Sequence, residues 1–477
     1  MKRAIGGIVL AGIVAVTPAR AAAPPFGAWV RSETQVSILR MLRNISPPDA
    51  VPGTVVASPS RQSPNYFFHW IRDSSLVMNQ VVRLFAEAKG AEKAKYLTYL
   101  TDFVALALRF QREPGAEGLG EPRYRPDGTA DTTPWARPQY DGPALRALTL
   151  IRFLGVLPLN SDDSLLRAQV LDVIRTDLAY VIESWRLPCY DLWEELRGLH
   201  FYSQSTQYAA MLAGAGLFRA EGDGAFGNRL SKEASNAQAE LEKYWDESRG
   251  YIGASRNLEG KPDSPHYKEA NLDTAVILAA LHAQVGQGIL SVKDGRVLAT
   301  AHALEMAFAA AYGINQGAKA VAIGRFTDDV YYGGNPWYVT TAAFAELHYQ
   351  VARTIAQMGI TVTKNNLGFL NSALTAGRVP LLKYGECIAG SSARGRILSE
   401  ALEHKGDGFL GVIREHAGSQ GELAEQFDRD AGVPASAFDL TWSYAGFLSA
   451  ATYRRARWEQ RSSSWPNSRK SIPKNFP

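Results

Sequence analysis

The chain has 477 residues, 46% apolar and 21% charged, so disorder is excluded for its bulk and one large domain or several smaller ones are allowed. Fifty-one basic against forty-seven acidic residues leave a net charge of +4, too balanced for a nucleic-acid-binding surface. The two cysteines, Cys189 and Cys387, exclude a Cys-rich zinc site and a disulfide framework, and leave their pairing with each other open.

The N-terminus has the pattern of an export signal: Lys2 and Arg3, an apolar run from Ile5 to Val16, and small-x-small cleavage positions near residues 21 and 23. The run is about 12 residues, short of the ~20 that span a bilayer. The expected mature protein is therefore free of the membrane and secreted, or periplasmic in a Gram-negative host. Asn44-Ile45-Ser46 is a glycosylation sequon.

A 3.6-residue apolar period then dominates. It predicts helices over 28–45, 73–88, 91–111, 141–155, 161–185, 201–219, 226–245, 272–285, 293–311, 336–358, 391–415 and 438–459. Leu97, Leu100, Phe103, Val104, Ala107 and Leu108 mark one helical face, and Leu166 through Trp185 another. The stretch 391–415 is expected to break near Gly406 and Gly408. Short hairpins are expected at 318–326 and 378–388. Residues 461–477 are Ser/Pro/basic without periodicity and read as an extension.

About twelve helices without an internal linker or short repeat leave an α-solenoid or a closed ring of helical hairpins. The loops decide. Polar, aromatic, Gly/Pro-rich segments precede every second helix: Pro64–Asp73, Pro122–Pro143, Pro188–His200, Lys261–Asp273, Arg325–Pro336 and Glu425–Asp439. If the alternate helices form an inner ring, all six loops open on one face. The predicted fold is an all-α (α/α)6 barrel with its site at one mouth.

Those loops hold the chemistry. Tyr190-Asp191-Leu192-Trp193-Glu194-Glu195 sets two carboxylates beside two aromatics. A carboxyl against Trp suits general-acid work, and the alternative is a solvated pair at a helix start capped by Asp191. Glu425-Gln426-Phe427-Asp428-Arg429-Asp430 supplies a second carboxyl cluster, and glycoside hydrolysis needs two carboxyls flanking one bond. Trp70-Ile71-Arg72-Asp73 and Arg325 with Asp328-Asp329 place Arg beside Asp beside an aromatic, which suits sugar hydroxyls and the sugar's C–H face. Asp73 also reads as an N-cap. Trp135, Trp337, Tyr66 and Tyr331 are further rim aromatics. There is no G-x-S-x-G elbow, P-loop or H-E-x-x-H, and the histidines lack metal spacing, so neither a metal nor another cofactor is expected.

At these residues the sequence resembles the glucoamylases of glycoside hydrolase family 15, the fungal and yeast type. The matching blocks are PNYFFHWIRDS at 64–74, ARPQYDGPALRA at 136–147, YDLWEEL at 190–196, RFTDDVYYGGNPW at 325–337, and EQFDRDAG with DLTWSYA at 425–445. The resemblance implies an (α/α)6 barrel and an exo-acting, inverting enzyme. Such an enzyme releases β-D-glucose from non-reducing ends of α-1,4-glucans and maltooligosaccharides, and more slowly from α-1,6 bonds. It assigns Glu194 as general acid and Glu425 as general base. Sugar binding falls to Tyr66, Trp70, Arg72, Asp73, Trp135, Leu192, Trp193, Glu195, Arg325, Asp329 and Trp337. Arg197-Gly198-Leu199-His200 and Thr132-Thr133-Pro134 depart from the family pattern near the leaving-group side. The expected organisation is a signal over 1–23, one catalytic domain over 24–460 and a tail over 461–477, without a starch-binding domain, acting as a monomer. The rival readings are an exo-glycosidase preferring α-1,6-linked glucans and a non-catalytic carbohydrate-binding protein on the same scaffold.

Overall fold

The computed structural model describes residues 24–158, 164–259, 268–375 and 379–462. The signal, residues 159–163, residues 260–267 of one rim loop, residues 376–378 and most of the tail lie outside them, and with them the start of the helix expected over 161–185 and the first residue of the hairpin expected over 378–388.

Six helices are buried over most of their faces: α2 (Ile71–Glu87), α4 (Asp141–Val156), α6 (Phe201–Ala220), α8 (Ala275–Ala283), α10 (Tyr338–Met358) and the first half of α13 (Thr441–Ser462). In α2, every residue from Ile71 to Val82 is buried. A helix buried on every face has neighbours all round. Each of the six packs on the next, and α13 returns to α2, closing a ring.

The alternate helices are α1 (Phe26–Arg43), α3 (Gly90–Arg112), α5 (Ser164–Ser184), α7 (Gly224–Leu241), α9 (Gly295–Ala311) and α12 (Ala393–His416). These bury a single stripe, as Val170, Val173, Ile174, Leu178, Val181 and Ile182 do in α5. Each covers one inner helix, with α1 closing over α13. The architecture is the (α/α)6 barrel, and one main apolar core runs round the ring.

Buried ion pairs tie the layers. Arg146 on α4 meets Asp177 on α5 through two hydrogen bonds, Nε to Oδ2 at 2.8 Å and Nη2 to Oδ1 at 2.6 Å. Gln111 on α3 donates to the same carboxylate at 2.8 Å. Removing one partner strands the other charge away from water, so Asp177→Ala is expected to cost about 3–5 kcal/mol. Chemical denaturation should show this as a lower midpoint with an unchanged slope.

Four sequence expectations change. Helix α12 runs unbroken through Gly406 and Gly408. Gly406 instead permits close packing, since a Cβ there would lie 2.7 Å from the Tyr349 ring. Residues 318–326 form no hairpin; the Asn315 side chain serves that segment, donating to Phe308 O and Ala322 O and accepting from Ala322 N. Cys387–Ile388 pairs with the distant Ile360–Thr361 rather than within its own segment. A thirteenth helix, α11 (Leu367–Leu374), was not predicted; eight residues give too short a stripe to read. The cysteines are free, Cys189 buried and Cys387 exposed. Asn44 of the sequon is buried, and its amide donates to Asp439 O and Thr441 Oγ1.

Candidate active site

Short hairpins among the rim loops fix the key side chains. A two-residue ladder, His69–Trp70 against Arg123–Tyr124, leads directly into α2. The helix begins at Ile71 and Trp70 occupies its N-cap position. Asp73 therefore sits in the first turn, where the helix dipole favours a carboxylate, and is not the cap.

Cys189–Tyr190 pairs with Arg197–Gly198, so Asp191 to Leu196 form a hairpin tip instead of a helix start. Asp191 N donates to Leu196 O and Glu194 N to Asp191 O, both at 2.9 Å. Glu194 takes φ of 66°. That left-handed conformation costs a non-glycine residue about 1–3 kcal/mol, and it is held here by the surrounding loop.

The reversal sends the adjacent glutamates to different partners. Glu194 Oε1 accepts from Trp70 Nε1 at 2.8 Å and from Arg72 Nη2 and Gln139 Nε2 at 3.0 Å. Its Oε2 accepts from Trp135 Nε1 at 2.6 Å. Glu195 Oε1 accepts from Arg325 Nη2 at 2.8 Å, and burial raises this carboxyl above the ordinary range. Arg325 is oriented in turn by Asp329, whose Oδ2 accepts from its Nε at 2.7 Å.

Glu425 comes from another rim loop. Gln426–Phe427 pairs with Pro434–Ala435, and Glu425 N donates to Ala437 O at 2.7 Å. The hairpin folds Ser436 back so that its hydroxyl donates to Glu425 Oε2, which also accepts from Gln426 Nε2 at 3.1 Å. Burial pushes the Glu425 carboxyl up to about 7, opposed by the Ser436 hydrogen bond and the Arg325 charge. Asp73 is likewise raised by burial, to about 6, against the pull of Arg72, whose Nε lies 3.5 Å from it.

Asp329 excepted, every expected site residue borders one cavity of about 340 Å³. Small-molecule sites fall in this size range. Rings of Tyr66, Trp70, Trp193 and Trp337 wall it, Leu192 and Leu440 add apolar patches, and Trp135 stands at the rim, 36% exposed. The Arg123 guanidinium lies 3.4 Å from the Trp135 ring centre. Trp442 borders both this cavity and a narrower space between the inner helices. The Tyr66 hydroxyl is held well above the ordinary tyrosine range, first by burial and then by charges that include both Glu425 and Glu194. Tyr66 thus sits within the field of both carboxylates.

Sequence reasoning did not single out Gln139, Trp442, Ser436, Lys268 or Asp273. Gln139 and Trp442 lay inside motif blocks, so a signal existed. Ser436 and Lys268 had none, because each is one polar residue in a polar loop.

Two carboxyls facing one aromatic-walled pocket at the mouth of a helical ring define the class: an (α/α)6 hydrolase of carbohydrates. The sequence profile of the glycosyl hydrolases family 15 matches residues 37–452. Glucoamylase 1 of Rhizopus oryzae is 33% identical over 437 residues, covering 89% of this chain and 70% of its own. The glucoamylase of Hypocrea jecorina superposes with a TM-score of 0.82 at 31% identity, over 91% of this chain and 73% of that one. The glucoamylase of Saccharomycopsis fibuligera gives 0.82 at 28% identity, over 91% and 96%. The chain belongs to glycosyl hydrolase family 15.

Proposed function

We propose that Glu194 is the general acid and Glu425 the general base of an inverting hydrolysis. In this reading Arg72, Asp73, Glu195 and Arg325 hold the terminal glucose between the rings of the pocket. The activity is that of an exo-acting glucoamylase, a glycoside hydrolase of the glucan 1,4-alpha-glucosidase kind, with α-glucans as substrates. The comparisons favour neither a preference for α-1,6 linkages nor a non-catalytic protein.

The observation that carries the assignment is the convergence of both glutamates on one cavity, with Tyr66 within the field of both charges. Glu194 passes its proton to the glycosidic oxygen as the bond to the anomeric carbon breaks. Glu425 accepts a proton from the water that attacks the opposite face, so the product is β-glucose. Inverting pairs stand about 6.5–9.5 Å apart, which leaves room for that water. Exo action requires a pocket that admits a chain end and no through-running chain.

Arg72 and Asp73 are buried side chains of opposite charge at the pocket wall. Asp73→Asn loses a charge-assisted hydrogen bond to a sugar hydroxyl, worth about 1.5–3 kcal/mol, so KM for maltose should rise about 10–100-fold. Unchanged maltose kinetics would remove Asp73 from the sugar site.

Export completes the reading: residues 1–23 act as a cleaved signal, and the catalytic unit over 24–460 works outside the cytoplasm as a monomer. The charged n-region and the short apolar run support it. N-terminal sequencing of the protein from its native host tests the cleavage.

Proton NMR of maltotriose hydrolysis, followed from the first minutes, tests the mechanism. Early β-glucose with maltose as co-product is expected. Early α-glucose would mean retention and would rule out the water-spaced pair.

A further inference from the structure

The hairpin tip that carries Glu194 has nothing repetitive to hold it. It is six residues long, it contains a left-handed glutamate, and its sequence is rich in like charge. What anchors it is a buried ammonium group from another rim loop. Lys268 Nζ lies 2.9 Å from Asp191 Oδ2 and 2.7 Å from Asp273 Oδ2. Its side chain is only 3% exposed.

Each aspartate uses its second oxygen, or shares both, on the acid loop. Asp191 Oδ1 accepts from Glu195 N at 2.7 Å and Leu196 N at 3.0 Å, which pins the residues just after Glu194. Asp273 Oδ1 accepts from Trp193 Nε1 at 2.8 Å, pinning the residue just before it, and also from Ala275 N at the start of α8. One cation therefore fixes both flanks of Glu194 and references them to an inner helix of the barrel.

Lys268 does not border the cavity. Its charge balances two carboxylates that would otherwise face each other without solvent. Asp191 is held far below the ordinary aspartate range, by Lys268 foremost among the charges that oppose its burial.

We propose that Lys268 is a positioning residue for proton donation: through Asp191 and Asp273 it holds the acid loop so that Glu194 points at the glycosidic oxygen. The inference rests on the assignment of Glu194 as general acid. A misplacement on the order of 1 Å costs about 100-fold in rate even when binding is intact.

The test uses the leaving group. Maltose needs a proton delivered to its glycosidic oxygen, whereas α-glucosyl fluoride expels fluoride with little such help. Lys268→Met removes the charge and keeps the bulk. We expect it to lower kcat on maltose about 10–100-fold and to leave kcat on α-glucosyl fluoride within about threefold of the parent, with any rise in KM alike for the two substrates because Trp193 and Glu195 of the same loop hold the glucose they share. Lys268→Arg retains the charge in a less compact group and should show the same pattern more weakly, which carries the test if the Met variant does not fold. Equal losses on the two substrates, a loss confined to KM, or no loss would each overturn the positioning role. Glu194→Gln, run in parallel, separates the two readings. If it too fails to discriminate between the substrates, the acid assignment falls. If it discriminates and Lys268→Met does not, only the role of Lys268 falls.

Discussion

Glu194→Gln is expected to lower kcat on maltose by about 10²–10⁴-fold, the usual contribution of a positioned general acid, with KM within a few-fold. The change is nearly isosteric. The amide oxygen can still accept from Trp70, Arg72 and Gln139, which meet one oxygen of the native side chain. The amide nitrogen falls where Trp135 donates to the other oxygen, so that rim contact becomes donor against donor. Substrate binding suffers little, because Asp73, Glu195, Arg325 and the ring walls are untouched. Single-turnover assays with maltose measure the chemical step directly. Retention of more than about a tenth of the parent rate would remove Glu194 from the acid role.

Glu425→Gln is expected to abolish base catalysis, again about 10²–10⁴-fold in kcat, and to carry two pH signatures that a merely structural residue would lack. The first is kinetic. The base works only when ionised, and burial has raised its pKa above the ordinary glutamate range. In the parent enzyme kcat/KM should therefore fall on the acidic side with a limb set by Glu425. Ser436 donates to the ionised carboxylate and favours it, so Ser436→Ala should move that limb to higher pH. A limb that stays put in the Ser436 variant would show that another group sets it.

The second signature is thermodynamic. A carboxyl raised on folding binds its proton more tightly in the native state, so its favourable contribution is present at pH below the unfolded value and is lost as pH rises through about 7. The neutral Gln variant escapes that loss. Its Tm should match or exceed the parent's above pH 7, with the difference shrinking as the pH drops into the ordinary glutamate range. Thermal unfolding of both proteins across this span measures it.

How much of this was legible in the residues follows from which interactions are local. The inner and outer helices were readable because burial leaves a trace in the sequence: an apolar stripe for α5, a nearly continuous apolar run for α8. The alternation of plain and chemically rich loops was readable for the same reason, since it tracks the alternation of helices. Gly406 was misread because a glycine inside a helical pattern looks like a break, and the Tyr349 ring that requires it lies 57 positions earlier in the chain. The segment 318–326 was misread because its backbone groups are satisfied by the Asn315 side chain, a device with no period.

At the site, the sequence by itself determined the types of group and their order along the chain. The WEE and EQF blocks named both carboxyls, and the blocks at 64–74 and 325–337 named both arginines and the rings of Tyr66, Trp70 and Trp337. Only the tertiary structure decided what each group does to the next. It set the left-handed turn that splits Glu194 from Glu195, and the hairpin that returns Ser436 to Glu425. It put Asp329 behind Arg325 instead of in the cavity, and brought the ammonium of Lys268 under the acid loop. Apart from the Arg325–Asp329 pair, four residues apart, these are hydrogen bonds and ion pairs between residues far apart in the chain or on opposite arms of a hairpin. Their strength depends on distances and burial that exist only after the ring has closed, so no spacing in the sequence encodes them.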